Sequence, residues 1–303
     1  MPSEFDLIYR HFAHLGAGPA VELSVGDDCA ILKLEPGERL ITSLDTLVEG
    51  VHFLPDTFPE IIGYRAVATA ASDLAAMGAR PLGMTIALTL PDAEEFWVHS
   101  FSQGLAEAVS EYSLPLVGGD TTRGPLTVSV QVMGAVPVDQ ALLRSGAQVG
   151  DEVYVSGTLG DAAGGLAFLQ DEWRPSRDAA AYLVERHERP TARLALGQQL
   201  LAVATAAIDI SDGLLADAGH IAAASGVAIE LESAALPVSP ALAEAGERAI
   251  TWALNGGDDY ELCFTLPTGV PAPEGCVRIG TVVAGEGVQI DADIDTGAGY
   301  QHF

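Results

Sequence analysis

The sequence predicts an α+β protein of two domains. Three observations lead there. Segments with strand-like and helix-like apolar spacing alternate along all 303 residues. The series breaks at a hinge-like stretch, 138–150, and starts again beyond it. Hydrophobic residues make up 49% of the chain, ample for packed cores, yet no apolar run reaches the ~18 residues of a membrane span. The predicted domains are 1–137 and 150–303, joined by a linker at 138–149.

The elements follow in order. Glu4 to Leu15 has apolar residues at Phe5, Ile8, Phe12 and Leu15, a helical spacing. Ala30–Leu34 and Arg39–Ser43 are short strands around the turn Glu35-Pro36-Gly37-Glu38. Pro59–Met77 is a helix with Pro in its first turn and Gly78 as its stop. A strand, Leu82–Leu90, precedes a helix, Ala93–Tyr112, for which Asp92 is the expected cap. Leu114–Val117 is strand-like, and Leu126–Val136 alternates as a strand that Pro137 ends. After the hinge come a strand, Glu152–Ser156, and helices near Gly160–Leu169, Arg177–Arg186 and Ala192–Val203. Strand Ala206–Ile210 runs into Ser211-Asp212-Gly213 and a helix to Ala224. Val227–Leu231, Tyr260–Thr265, Val277–Val282 and Val288–Ile290 are the remaining predicted strands.

Charge narrows the function. The chain has 42 acidic against 14 basic residues, a formal net charge of −28. That argues against nucleic acid or an anionic membrane as partner, because either needs a basic face. Lys33 is the only lysine and lies in no G-x-x-x-x-G-K-[ST] loop, which excludes a Walker-type site. Any phosphate must be met by arginine or by metal ions. Three cysteines without a C-x-x-C pair, and no signal-like N-terminus, point to a reduced, cytoplasmic protein.

Several aspartates sit inside or at the end of apolar segments, where a lone ionised carboxylate is disfavoured unless it meets a cation or donors. They are Asp28 in Val25–Ala30, Asp45 in Thr42–Thr46, Asp73 in Ala71–Ala75, Asp120 in Val117–Thr121, and Asp209 and Asp212 in Ile208–Gly213. Gathered in one place they would repel each other without a divalent cation, and all-oxygen ligands suit Mg²⁺. The alternative for each is a helix cap or turn. Asp73 fits neither, since the end of a helix disfavours an anion. Gly118-Gly119-Asp120 lets backbone N–H groups approach a phosphate, though such triplets also make ordinary turns. Gly157–Asp161 opens a helix that either cradles an anion or packs against a strand. Arg144 is either a phosphate clamp or a surface ion pair. His52 contacts substrate or closes a loop, and lacks a second His at zinc spacing.

Together these segments resemble the thiamine-monophosphate kinases, in the superfamily of aminoimidazole ribonucleotide synthetase. The resemblance runs nearly end to end. It is carried by Gly26–Ala30, Asp45–Phe53, Ser72–Gly78, Gly118–Gly124, Asp209–Leu214 and Asn255–Leu262. It implies the two-domain α+β fold of that superfamily and a homodimer built through N-terminal-domain strands. It implies direct in-line transfer from ATP to thiamine monophosphate, the final step to thiamine diphosphate, assisted by several Mg²⁺ ions. Carried over by position, Asp28, Ser43, Asp45, Asp73, Asp120, Asp209 and Asp212 would bind Mg²⁺, with Leu44 contributing its backbone carbonyl. Gln103, Gly119, Asp120, Arg144 and Ser211 would touch ATP, and His52 and Asp258 thiamine monophosphate. Asp45, Asp120, Arg144 and Asp212 are the expected catalytic set.

Three departures stand out. Leu44 replaces a common Thr, and Asp258 a common Glu. The family's C-terminal aromatic contact falls at Gly297, so Tyr300, another residue or none makes it here. The rivals are other members of the superfamily and a non-catalytic acidic protein that buffers divalent ions. Selenophosphate synthetase would need a reactive Cys or selenocysteine and a Lys near the N-terminus, but the first Cys is Cys29. The hydrogenase maturation member would end in a Cys-bearing tail, and this chain ends in Phe303.

Overall fold

The chain divides into two compact units, Met1–Leu74 with Ala79–Asp139, and Ala75–Gly78 with Gln140–Phe303. The computed structural model describes residues 4–92 and 94–291.

In the first unit, helix α1 (Glu4–Leu7) continues as one wide π-type turn and one tight 3-10 turn to Leu15. The regular helix expected there is distorted, and the widened turn packs the neighbours His11 and Phe12 both inward. Strands β1 (Val21–Leu23) and β2 (Ile31–Leu32) form a small antiparallel ribbon. The main sheet holds β3 (Glu38–Val48), β4 (Arg80–Leu90), β5 (Leu116–Arg123) and β6 (Thr127–Pro137) in the order β3–β6–β4–β5. β6 is antiparallel to both neighbours, while β4 and β5 are parallel. A parallel pair needs a long crossover, which α3 (Glu95–Tyr112) supplies. Helix α2 (Pro59–Ala76) is apolar on nearly every side, with Val67, Ala68, Ala70, Ala71 and Leu74 buried. That pattern marks a helix enclosed by its neighbours. At α3 the capping position falls on Glu94, which offers no side-chain hydrogen bond, so Asp92 is not the cap.

Two strands run past their expected ends. β3 extends to Val48 because β6 pairs with it along its whole length, from Glu38 opposite Pro137 to Val48 opposite Thr127. β5 was expected to end at Val117 and give way to a glycine-rich loop. Instead Gly118–Arg123 stay in the strand, paired with Thr85–Leu90 of β4. Gly119 explains how. Its φ is +155°, and a Cβ there would lie 2.1 Å from the carbonyl oxygen of Ile86. Only glycine lets the two backbones come so close.

The second unit is a six-stranded sheet made of β7 (Glu152–Ser156), β8 (Ala206–Asp209), β9 (Ala228–Leu231), β10 (Leu262–Leu266), β11 (Cys276–Val283) and β12 (Gly287–Ile290). The order is β12–β9–β11–β7–β10–β8, and only the β12–β9 pair is parallel. Its helices are α4 (Asp161–Leu169), α5 (Arg177–Glu188), α6 (Leu194–Leu200), α7 (Leu214–Ser225), α8 (Pro240–Ala243) and α9 (Glu247–Asn255). Val153, Ile208, Leu214, Ile221, Leu254 and Ile279 share its main core. The sequence reading did not anticipate α8 and α9, which are short. α9 turns Ala249, Ala253 and Leu254 inward. Among the described residues no helix is long and apolar enough to cross a membrane.

Candidate active site

In the first unit, β3 alternates. Ile41, Ser43, Asp45 and Leu47 are partly or fully buried, while Thr42, Leu44 and Thr46 are exposed. This strict alternation puts Ser43 and Asp45 on the face toward α2. There the Ser43 hydroxyl donates to a carboxylate oxygen of Asp73, in the last turn of α2. Two predicted ligands, thirty positions apart, are therefore in direct contact, and the donor helps offset the unfavourable helix end beneath Asp73. Leu44 is 63% exposed on β3, an edge strand of the sheet, where alternate carbonyls lack a strand partner. Asp28 and Asp120 are exposed, the latter on β5 opposite Ala87. The Asp28 N–H donates to Oδ1 of Asp27 at 2.8 Å. Gln103 lies on the exposed side of α3, and no hydrogen bond joins it to another candidate among the described residues.

His52 closes its own turn. Its Nδ1 accepts the Val48 N–H at 3.0 Å, and its own N–H donates to the Val48 carbonyl at 2.9 Å. Accepting at Nδ1 fixes the neutral ring with its proton on Nε2. The loop-closing role is real.

In the second unit, two segments far apart in sequence are laced together. The Ile210 N–H donates to the Glu261 carbonyl at 2.8 Å, and the Tyr260 N–H to the Ile210 carbonyl at 2.9 Å. The Asp258 N–H donates to the Ser211 carbonyl at 2.9 Å. The predicted nucleotide residue Ser211 and the predicted substrate residue Asp258 thus share a backbone hydrogen bond. Asp258 and Tyr260 both take left-handed backbones, φ 66° and 52°, uncommon for non-glycine residues and often found at functional sites. The Tyr260 hydroxyl donates to Oδ1 of Asp258 at 3.0 Å. Asp209 is buried at the end of β8, opposite Leu262.

Arg144 is exposed, and its guanidinium has no ion-pair partner among the described residues. Its backbone is pinned instead. The Ser225 hydroxyl donates to the Arg144 carbonyl and accepts from the N–H groups of Gly146 and Ala147. The next carbonyl back, that of Leu143, takes the Ala207 N–H at 2.9 Å, two residues before Asp209.

Three acids in four residues meet different fates. Asp258 is partly exposed. Asp259 is buried and accepts the N–H groups of Gly160 and Ala162 at 2.6 and 3.2 Å. Burial pushes its carboxyl up to about 8, against two donors that favour the anion. The start of α4 is therefore filled by the chain's own carboxyl group, which decides for packing at Gly157–Asp161. Glu261 is fully buried, bound by Arg186 and Arg193 and by the Ser156 hydroxyl at 2.5 Å.

Residues 26–136 match the family of AIR synthase related proteins, N-terminal domain. The chain is 50% identical to the thiamine-monophosphate kinase of Escherichia coli (strain K12) over 269 residues, 87% of this chain and 82% of that protein. The chain belongs to the thiamine-monophosphate kinase family. Its fold agrees with that of the crystal structure of thiamine-monophosphate kinase from Stenotrophomonas maltophilia K279a. The TM-score is 0.85 at 45% identity, over 90% of this chain and 92% of that one. A second structure, AaThiL complexed with AMPPCP and TMP, gives a TM-score of 0.83 at 38% identity over 89% of each chain. The chain is thus a kinase with the α+β fold of the aminoimidazole ribonucleotide synthetase superfamily.

For a kinase of this family the donor chemistry fits Mg²⁺. The candidates offer carboxylate, hydroxyl and carbonyl oxygens only. Among the described residues no three acidic, His or Cys side chains are drawn together into a preformed metal site. Gly297 and Tyr300 lie outside the described residues.

The sequence reading missed Asp217, Asp259 and Glu261. A signal for Asp217 was present. Leu214, Ala218 and Ile221 are the apolar stripe of α7, and Asp217 lies on the same face.

Proposed function

We propose that this protein transfers the γ-phosphoryl group of ATP to thiamine monophosphate, giving ADP and thiamine diphosphate. The observation that carries this is the close match, over 89% of both chains, to AaThiL complexed with AMPPCP and TMP. The acceptor is a phosphate whose second pKa is about 6, so it is largely ionised at neutral pH and needs no strong general base. The difficulty is to bring two polyanions together in line.

The chain's residues answer that difficulty in distinct ways. Arg144, exposed and backbone-anchored, is the guanidinium that clamps ATP phosphate oxygens. Ser211 and Gly119 contact the nucleotide, as does Gln103. Mg²⁺ held by Asp28, Ser43, the Leu44 carbonyl, Asp45, Asp73, Asp120, Asp209 and Asp212 would neutralise phosphate charge when bound. Asp45, Asp120, Asp212 and Arg144 form the catalytic set. Asp258 faces the permanently cationic thiazolium ring, and His52 contacts the substrate. In this division the first domain, 1–137, carries most of the metal set with Gln103, Gly119 and His52, the second, 150–303, adds Ser211, Asp258, Asp209 and Asp212, and Arg144 lies in the linker, 138–149.

The first unit also carries the dimer contact in this reading. Its sheet ends in an eleven-residue edge strand, β3, with Leu40 and Leu44 exposed on the face opposite α2. A long, partly apolar edge strand usually finds a partner. Light scattering should give about twice the 31.4 kDa chain mass, and a monomer at working concentration removes this part. The three free thiols fit a cytoplasmic setting, which cell fractionation checks.

The deciding assay gives purified protein ATP and Mg²⁺ with thiamine monophosphate or thiamine, and separates products by chromatography. Thiamine diphosphate from the monophosphate alone is the expected result. No diphosphate, from protein that still binds Mg–ATP, would refute the acceptor. His52→Asn is the sharper substrate probe, since an Asn side chain can still accept the Val48 N–H. It should raise KM for thiamine monophosphate about tenfold and leave KM for ATP near the parent value. Equal changes in both would remove His52 from the substrate site.

A further inference from the structure

We propose that Asp217 is a positioning residue that holds the loop Asp209–Gly213 in its ligand-binding shape. The inference rests on the reading of that loop as part of the nucleotide and metal site. Asp217 lies in the first turn of α7 and is 2% exposed. One of its oxygens, Oδ2, accepts three consecutive backbone N–H groups, those of Ser211 and Asp212 at 3.0 Å and Gly213 at 3.1 Å. Its own N–H donates to the Gly213 carbonyl at 3.0 Å, so loop and helix are tied in both directions.

The consequence is chemical. Three N–H groups in a row before a helix are the usual makings of an anion cradle. Here all three turn to the protein's own carboxyl group. The loop's backbone is therefore not available to phosphate, and ligand must be met by the Ser211 hydroxyl and the Asp212 carboxylate. Both residues are partly exposed.

The other side of the loop is equally constrained. The Ser211 carbonyl is held by the Asp258 N–H, and the Ile210 carbonyl by that of Tyr260. Gly213, at φ +111°, would place any Cβ 2.7 Å from the Asn255 carbonyl oxygen. The loop cannot slide toward α9, and Asp217 is what stops it from lifting away. An Asp at this place does for the loop what a capping residue does for a helix end, with three donors in place of one.

The test compares Asp217→Ala, which removes the acceptor, with Asp217→Asn, which keeps an acceptor oxygen, and with Asp212→Asn as the site control. Three quantities are read: amide hydrogen exchange over 208–218, direct binding of a non-hydrolysable ATP analogue with Mg²⁺, and separate KM values for the two substrates. Asp217→Ala should speed exchange at Ser211, Asp212 and Gly213 at least tenfold, with α4 and α5 unchanged. It should weaken Mg–nucleotide binding at least tenfold and raise KM for ATP more than for thiamine monophosphate. Asp217→Asn should recover most of both effects. Faster exchange with unaltered nucleotide binding would overturn the proposal, as would unaltered exchange. If Asp217→Ala does not fold, Asp217→Glu takes its place, since it shifts the acceptor by one methylene, and the same criteria apply. If Asp212→Asn itself leaves Mg–nucleotide binding unchanged, it is the reading of the loop that fails.

Discussion

Asp120→Asn should lower turnover at least about 100-fold while leaving the melting temperature within a few degrees of the parent. The two halves of this expectation have separate causes. Asp120 is exposed on β5. Replacing an exposed carboxylate by its isosteric amide changes no packing, so stability should move by about 0.5 kcal/mol or less. Asn keeps the size and one acceptor oxygen, but it loses the charge that holds a divalent cation against competing water. If Asp120 serves Mg²⁺ and the ATP phosphates, that charge acts on the transition state and its loss falls on kcat. A surface aspartate without such a role would lose nothing. Steady-state kinetics beside a thermal melt distinguishes the cases, and turnover within threefold of the parent would remove Asp120 from the metal set.

Glu261→Leu should destabilise the second unit by about 3 kcal/mol, and lower its melting temperature by roughly 6–12 °C. Glu261 is fully buried between Arg186 and Arg193, and its carboxylate also accepts the Ser156 hydroxyl. Leucine fills much of the same volume but leaves two guanidinium groups facing an apolar side chain. Arg186 is the worse placed, since its side chain is only 14% exposed. It retains Asp161 at 3.7 Å, itself buried and bound by the Ser239 hydroxyl at 2.5 Å. Arg193, at 31% side-chain exposure, can turn to water, which keeps the cost at the lower end for a broken buried pair. Thermal or urea unfolding checks the prediction, and a loss below about 1 kcal/mol would show that the network is not under tension from its burial. Because Glu261 follows Asp258 by three residues, the same variant should also raise KM for thiamine monophosphate.

The legible part of this protein was local. Glu152–Ser156 forms β7, and Pro59–Ala76 forms a helix that Gly78 follows, as apolar period and turn residues indicated. The motifs that carry the family resemblance are also strings in the sequence. They were readable because each is contiguous, and family membership agrees with them. Where expectation and structure part, a partner from elsewhere in the chain is responsible. Gly118–Arg123 looked like a loop because glycines are poor strand formers. They are a strand because β4 offers a ladder and Gly119 lets it come close. At Gly157–Asp161 the local pattern allows either an anion cradle or helix–strand packing, and Asp259, about a hundred residues on, decides it by filling the helix start.

The sequence by itself determined which residues are chemically able to hold phosphate, Mg²⁺ and a cationic ring, and in what order they occur. Tertiary structure decided which of them remain available. Asp258, Asp259 and Glu261 are neighbours of nearly the same chemistry. One is partly exposed beside Ser211, one closes the start of α4, and one is locked between two arginines. Propensity and periodicity act over a few residues, whereas desolvation and hydrogen-bond pairing depend on what the folded chain brings alongside. An acidic residue's role is set by those distant partners, and no local pattern encodes them.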